Sequence, residues 1–316
     1  MINNAFFSVA THTWGMEISQ GFTTGKFGMA FDCALNPSNG MIEEAPESLN
    51  ALLETMSKLS CTLGSLLTIF AVTVSDYAGD QVATTNHDLV GRARDSYYSL
   101  PKKGFKGFTA TVEPNWKIIL ADTATRENLK VFRAVKFSIV VAADGVATVH
   151  YRVDANAAKP ELQPFVNRIH YDLERLVAGF FNTWRLFMVG SPFPEMERPI
   201  KIENPGDQYR LFYTLQSGAL MIMMTDDFLI TEWNLSGPTA KRTIKPHFQK
   251  TIDGHLLTDY QSVFEPTGDG IKTTLDFNIE YRNVSGMKLP HKVRLKGMHG
   301  DESIESELVF RVNGSN

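Results

Sequence analysis

The chain has 316 residues, 43% of them hydrophobic and 21% charged, a balance that lets a globular protein bury a core and excludes gross disorder. Its formal net charge of -4 leaves no basic field to attract the phosphates of nucleic acid, so no nucleic-acid partner is expected. Two cysteines, Cys33 and Cys61, are too few for a disulfide-stapled scaffold or a zinc ribbon.

The order of residues after Met56 is that of an export signal: a basic Lys58, an uncharged apolar run from Leu63 to Val74, then small and polar residues closed by Asp76. The run is shorter than the ~20 residues that cross a bilayer, which disfavours a permanent transmembrane helix; a buried core helix is the bland alternative. Cleavage is expected after Ala78 or, alternatively, after Ser75. Residues 56–78 are therefore read as a signal peptide, and residues 1–55 as a non-native or disordered extension ahead of a true start at Met56, with a genuine N-terminal extension as the other possibility. Residues 79–316 form one domain, expected in the periplasm or outside the cell. Cys61 would leave with the signal, and because it precedes the apolar run it does not suit a lipidation site.

Within that domain, Asn86 can cap a helix whose Leu89, Ala93, Tyr97 and Leu100 share a face, ended by Pro101 and Gly104. Phe105 to Val112 alternates as a half-buried strand, stopped by Pro114. Asn115 to Arg133 reads as a second helix. Lys136 to Ala142 and Val146 to Val153 form a hairpin about the Asp144-Gly145 turn. After Pro160, the residues Leu162, Phe165, Ile169, Leu173, Leu176, Phe180, Trp184 and Phe187 recur at steps of three and four, predicting a long amphipathic helix that Gly190 and Pro192 terminate. Its polar face carries Arg168, Asp172, Arg175, Asn182 and Arg185.

From Asp207 the period falls to two. Ile271, Thr273, Leu275, Phe277, Ile279 and Tyr281 face one way and Lys272, Thr274, Asp276, Asn278, Glu280 and Arg282 the other. Ile304 to Val312 and Tyr209 to Leu215 alternate likewise. Turn residues at Asp226-Asp227, Ser236-Gly237-Pro238, Asp253-Gly254, Gly268-Asp269-Gly270 and Gly297 to Asp301 separate about seven strands, and turns that short join antiparallel neighbours. The expected fold is α+β: a curved antiparallel sheet, a half-open β-barrel, packed on the long amphipathic helix.

Catalytic signatures are missing. There is no His-Glu-x-x-His, no Gly-x-Ser-x-Gly, no Gly-x-Gly-x-x-Gly and no phosphate loop. His170 with Glu174 reads as a solvated pair on the helix rather than two metal ligands, and adjacent Asp226 and Asp227 as a turn rather than an acid–base pair. His247, His255, His291 and His299 are scattered and are assigned no metal. No catalytic residue, metal or cofactor is expected, and the protein is read as a non-enzyme. Met221, Met223 and Met224 stand out, since methionine-rich surfaces suit ligands of variable shape; plain core packing in a central strand is the simpler account. The aromatic inner parity of the sheet and the Phe- and Trp-rich helix can close into a dry core or leave an apolar cavity.

An export signal, the Asp95-Ser-Tyr-Tyr-Ser-Leu helix, the Phe105-Lys-Gly-Phe-Thr-Ala-Thr-Val strand, an internal apolar helix and a terminal meander with Lys288-Leu-Pro-His-Lys-Val-Arg-Leu together resemble the LolA/LolB/LppX-like superfamily of bacterial envelope lipid and lipoprotein carriers. The likeness covers Asp80 to Asn316 and is one of order and pattern. It implies a half-open barrel closed by helices, holding acyl chains without a cofactor. The function expected is therefore a periplasmic carrier or chaperone for a hydrophobic ligand, such as a lipid or the acyl chain of a lipoprotein, with envelope membrane proteins as possible partners. Phe180, Trp184, Leu211, Tyr213, Leu215, Leu275, Phe277 and Ile279 would line the site. The alternatives are a structural envelope protein with a filled core and a hydrolase without a recognisable motif.

Overall fold

A computed structural model describes residues 84–121, 124–153, 163–195 and 198–315, so the expected extension 1–55 and signal 56–78 lie outside the described residues. Strand-forming residues dominate them. A twelve-stranded antiparallel sheet is built from β1 (Phe108–Pro114), β2 (Val135–Val141), β3 (Ala147–Val153), β4 (Lys201–Glu203), β5 (Gln208–Leu215), β6 (Gly218–Thr225), β7 (Ile230–Ser236), β8 (Ala240–Thr251), β9 (Gly254–Pro266), β10 (Thr273–Val284), β11 (Met287–His299) and β12 (Glu302–Ser315). The last nine run as an uninterrupted meander from β4 to β12. β1 then pairs with β12, and β2 and β3 continue beyond it. β3 and β4 are the two edges, and the sheet does not close.

The alternating pattern works because adjacent strands keep like parities opposite one another. Val112 lies between Phe310 and Phe137, and Phe277 between Tyr260 and Leu295, so one face is a continuous apolar layer. Asn278 and Asp276, one step away, are exposed. The strand expected from Ile271 begins two residues later, at Thr273, and Ile271 is itself exposed. The turns at Asp144-Gly145, Asp226-Asp227 and Asp253-Gly254 stand where the sequence placed them, whereas Gly297 is inside β11 and the turn there falls at Gly300-Asp301.

Four α-helices accompany the sheet among the described residues, α1 (Thr84–Asp95), α2 (Trp116–Leu120), α3 (Arg126–Ala134) and α4 (Gln163–Met188), with a short 3-10 turn at Pro101–Lys103. α1 stops at Asp95, short of the expected Leu100. The chain then extends, with the His255 N–H donating to the Ser96 carbonyl at 2.8 Å and the Tyr98 N–H to the His255 carbonyl at 3.1 Å. Tyr97 and Tyr98, read as helical, instead pin hairpin ends: the Tyr97 hydroxyl donates to the Phe228 carbonyl and accepts from the Ile230 N–H, each at 2.7 Å, and the Tyr98 hydroxyl accepts from the Lys288 N–H at 2.9 Å. The helix expected over Asn115–Arg133 is two helices. In a continuous helix Trp116 and Phe132 would stand roughly 24 Å apart at 1.5 Å per residue; folding back at Ala121 brings their rings to 4.8 Å, with Phe137 of β2 at 6.1 Å from Trp116.

α4 is the longest helix described, with 26 residues. It follows edge strand β3 and precedes edge strand β4, so it links the two ends of the sheet. Its apolar residues Ile169, Leu173, Leu176, Phe180, Trp184 and Phe187 are buried as the periodicity requires. Ring pairs join it to the sheet: Phe180 to Phe277 at 6.2 Å and to Phe310 at 6.3 Å, Phe181 to Phe108 at 6.2 Å, and Phe187 to Phe248 at 5.7 Å. Two polar-face residues depart from the solvated pattern. Asp172 is buried and accepts from Arg168 at 3.2 Å, and His170 lies 4.5 Å from the Tyr151 ring rather than meeting Glu174 in water. No helix among the described residues is long and apolar enough to cross a membrane.

Candidate functional site

α4 ends where Gly190 and Pro192 cannot prolong it, the Gly190 N–H falling back on the Arg185 carbonyl at 2.7 Å. The loop that follows, residues 190–195, is held from several sides. Ser191 caps the Phe193 N–H at 3.2 Å, the Trp233 indole donates to the Pro192 carbonyl at 3.1 Å, and Arg94 of α1 donates to Ser191 Oγ at 3.1 Å and to the Pro194 carbonyl at 2.6 Å. Between this loop, the last turns of α4 and strands β5 to β8 lies a cleft of about 330 Å³. Leu186 of the helix, Phe193 of the loop, and Leu215, Leu220, Trp233 and Leu235 of the sheet make its wall apolar. Asp144, from the β2–β3 turn near the other edge of the sheet, lines the same cleft.

That turn can sit there only because residue 145 is glycine. Gly145 has φ +81°, and a Cβ on it would come within 2.5 Å of the Arg185 Cβ and 3.2 Å of Val189. The hairpin tip and the end of α4 are in backbone-close contact.

Three arginines and two carboxylates line the cleft. Arg242 of β8 points to the interior, opposite Leu235 and Phe264, and is only 2% exposed; its Nη2 donates to Thr183 Oγ1 of α4 at 2.8 Å. Burial pushes its guanidinium down to about 10, so it stays a cation at neutral pH. Arg185 and Arg198 also line the cleft and are half-buried. Of the acids present, Asp144 spends one oxygen on its own turn, accepting the Val146 N–H at 2.9 Å, and Glu195 is exposed. Desolvation raises the buried hydroxyls of Tyr213 and Tyr260 well above the usual tyrosine value, so both stay neutral.

The residues expected to line a site are distributed as follows. Phe180, Leu275, Phe277 and Ile279 meet in the core beneath α4, where Phe277 also stacks on Tyr260 at 4.5 Å. Trp184 is fully buried beside Phe181 at 5.4 Å and Phe105 at 6.3 Å. Leu211 and Tyr213 are buried in β5, on the other side of β6 to β9, and Leu215 of the same strand reaches the cleft. Met224 is buried on the inner face, whereas Met221 and Met223 are half-buried on the outer one. There Met221 and Phe212 line a second, larger groove of about 770 Å³ together with Lys201 and Lys241.

Of the cleft's residues, Trp233, Arg198 and Arg242 were not singled out from the sequence, and Arg185 was read only as part of the polar face of the long helix. A signal existed in Ser191-Pro-Phe-Pro194, which reads as a helix stop but is also a short rigid loop with an apolar side chain at its centre. On the outer face, His247 pairs with Asp259, whose other oxygen accepts from Thr258 at 3.0 Å. Fold and cleft define a class: an α+β protein on an open twelve-stranded antiparallel sheet, with an apolar cleft at the end of the helix that links the sheet's edges. No known family matches the chain, and no curated protein or solved structure matches it either.

Proposed function

We propose that this protein is a carrier or chaperone for a hydrophobic ligand, held in the cleft between the end of α4, the 190–195 loop and strands β5 to β8. The observation that carries the reading is that cleft: its volume of about 330 Å³ lies in the range of small-molecule sites, and an aliphatic and aromatic wall stands beside charged side chains. Each methylene transferred from water into such a wall contributes roughly 0.8 kcal/mol. The cleft also supports a half-open barrel, because Asp144 from one end of the sheet and Leu215 from the other line it together, so the sheet curls around α4. Sheets of more than ten twisted strands tend to curl in this way. An envelope location, reached through the signal after Met56, and membrane proteins as partners complete the proposal.

A second reading, a structural envelope protein with a filled core, is favoured by the rings packed around Phe180 and Trp184, both at most 1% exposed. Native mass spectrometry of the purified protein, followed by organic extraction, separates the two. A carrier retains an apolar molecule and takes up a fluorescent fatty acid at micromolar concentration. A protein that retains nothing and takes up no apolar probe is the structural one.

A further inference from the structure

We infer that the ligand of this cleft is a single-chain fatty carboxylate of about ten carbons, its head group held at the cleft mouth by Arg185 and Arg198. The inference rests on the carrier reading above and adds a chemical class to it.

Size sets the chain. At about 30 Å³ for a water-sized group, the cleft of about 330 Å³ holds on the order of ten such groups, and a methylene is of similar size. One medium-length chain fills that volume, which a two-chain lipid exceeds. The wall formed by Leu186, Leu215, Leu220, Trp233 and Leu235 suits an alkyl tail.

Charge sets the head. Arg185 and Arg198 line the cleft, are partly open to solvent, and form no salt bridge among the described residues. Arg242 adds a third guanidinium deeper in, on its bond to Thr183. Two carboxylates, Asp144 and Glu195, line the same cleft, so three guanidiniums against two carboxylates leave it one positive charge in excess. A guanidinium presents a planar fork that matches a carboxylate, and beside a low-dielectric wall such a charge-assisted bond is stronger than in open water. The cleft is therefore amphiphilic with a net positive lining, which favours an anion over a neutral or cationic head on the same tail.

Isothermal titration of the full chain with decanoate, decanol, decyltrimethylammonium and vesicles of a diacyl phosphatidylcholine tests this, using wild type and the Arg185→Gln/Arg198→Gln double variant. The expected result is binding of decanoate about tenfold tighter than decanol, no uptake of the diacyl lipid, and loss of that tenfold preference in the double variant. A cooperative thermal melt of the double variant, with a far-ultraviolet circular dichroism spectrum like that of wild type, shows that it is folded. Equal affinity for decanoate and decanol overturns the head-group assignment while leaving the carrier reading standing, and uptake of the diacyl lipid overturns the single-chain assignment. Failure of every ligand, decanol included, overturns the carrier reading itself. A tight decanoate complex that the double variant retains places the head group elsewhere and overturns the role given to Arg185 and Arg198.

Discussion

Phe277 and Asn278 are consecutive in β10 and live in opposite environments: the first stacks on Tyr260 at 4.5 Å and is buried, the second is exposed. Phe277→Asp places an uncompensated carboxylate among Tyr260, Phe180 and Leu295, at a cost of at least several kcal/mol, comparable with the 5–15 kcal/mol that holds a whole domain together. We expect it to abolish cooperative unfolding, and Asn278→Asp to leave the thermal midpoint within a degree or two. Equal shifts in a thermal melt would show that the register of β10 is misassigned. The face of each residue was legible in the sequence, because a strand with one wet side has to alternate. Arg242 was not legible. In Lys241-Arg-Thr-Ile-Lys it looks like one more polar residue, and only pairing with Leu235 on one side and Phe264 on the other turns it inward.

Two of the elements owe their relation to a single glycine. The β2–β3 hairpin tip meets the end of α4 at Gly145, where positive φ and a 2.5 Å approach to Arg185 act together. Gly206 has nearly the same φ, +83°, with nothing near its missing Cβ. Gly206→Ala therefore measures the backbone strain alone, about 1 kcal/mol or a little more, while Gly145→Ala adds the collision and should cost clearly more, up to about 3 kcal/mol. Urea unfolding of the two variants provides the comparison, and equal losses would mean that the hairpin is not seated on the helix. Long elements were legible, α4 above all, since its apolar stripe persists over many turns. The break between α2 and α3 was not. Both halves have helical spacing, and the interruption is imposed by the Trp116–Phe132 contact, which joins residues far apart on any continuous helix.

At the scale of the molecule, the export expectation remains the most direct to check. The basic, apolar and polar order after Met56 predicts a mature N-terminus between Asp76 and Asp80, and sequencing the protein from an envelope fraction reads it out; a cytoplasmic product that keeps residues before Met56 would refute it. For the described residues, composition and periodicity by themselves determined the class, α+β with a terminal antiparallel meander, because burial of one face forces a period of two in strands and of 3.6 in helices. They could not determine that β1 returns to β12, that the sheet stays open with β3 and β4 at its edges, or that an apolar cleft with three arginines forms where α4 ends. Those features depend on contacts between residues up to about two hundred positions apart, such as Arg311 with Glu113, and a one-dimensional pattern carries no record of which distant faces meet.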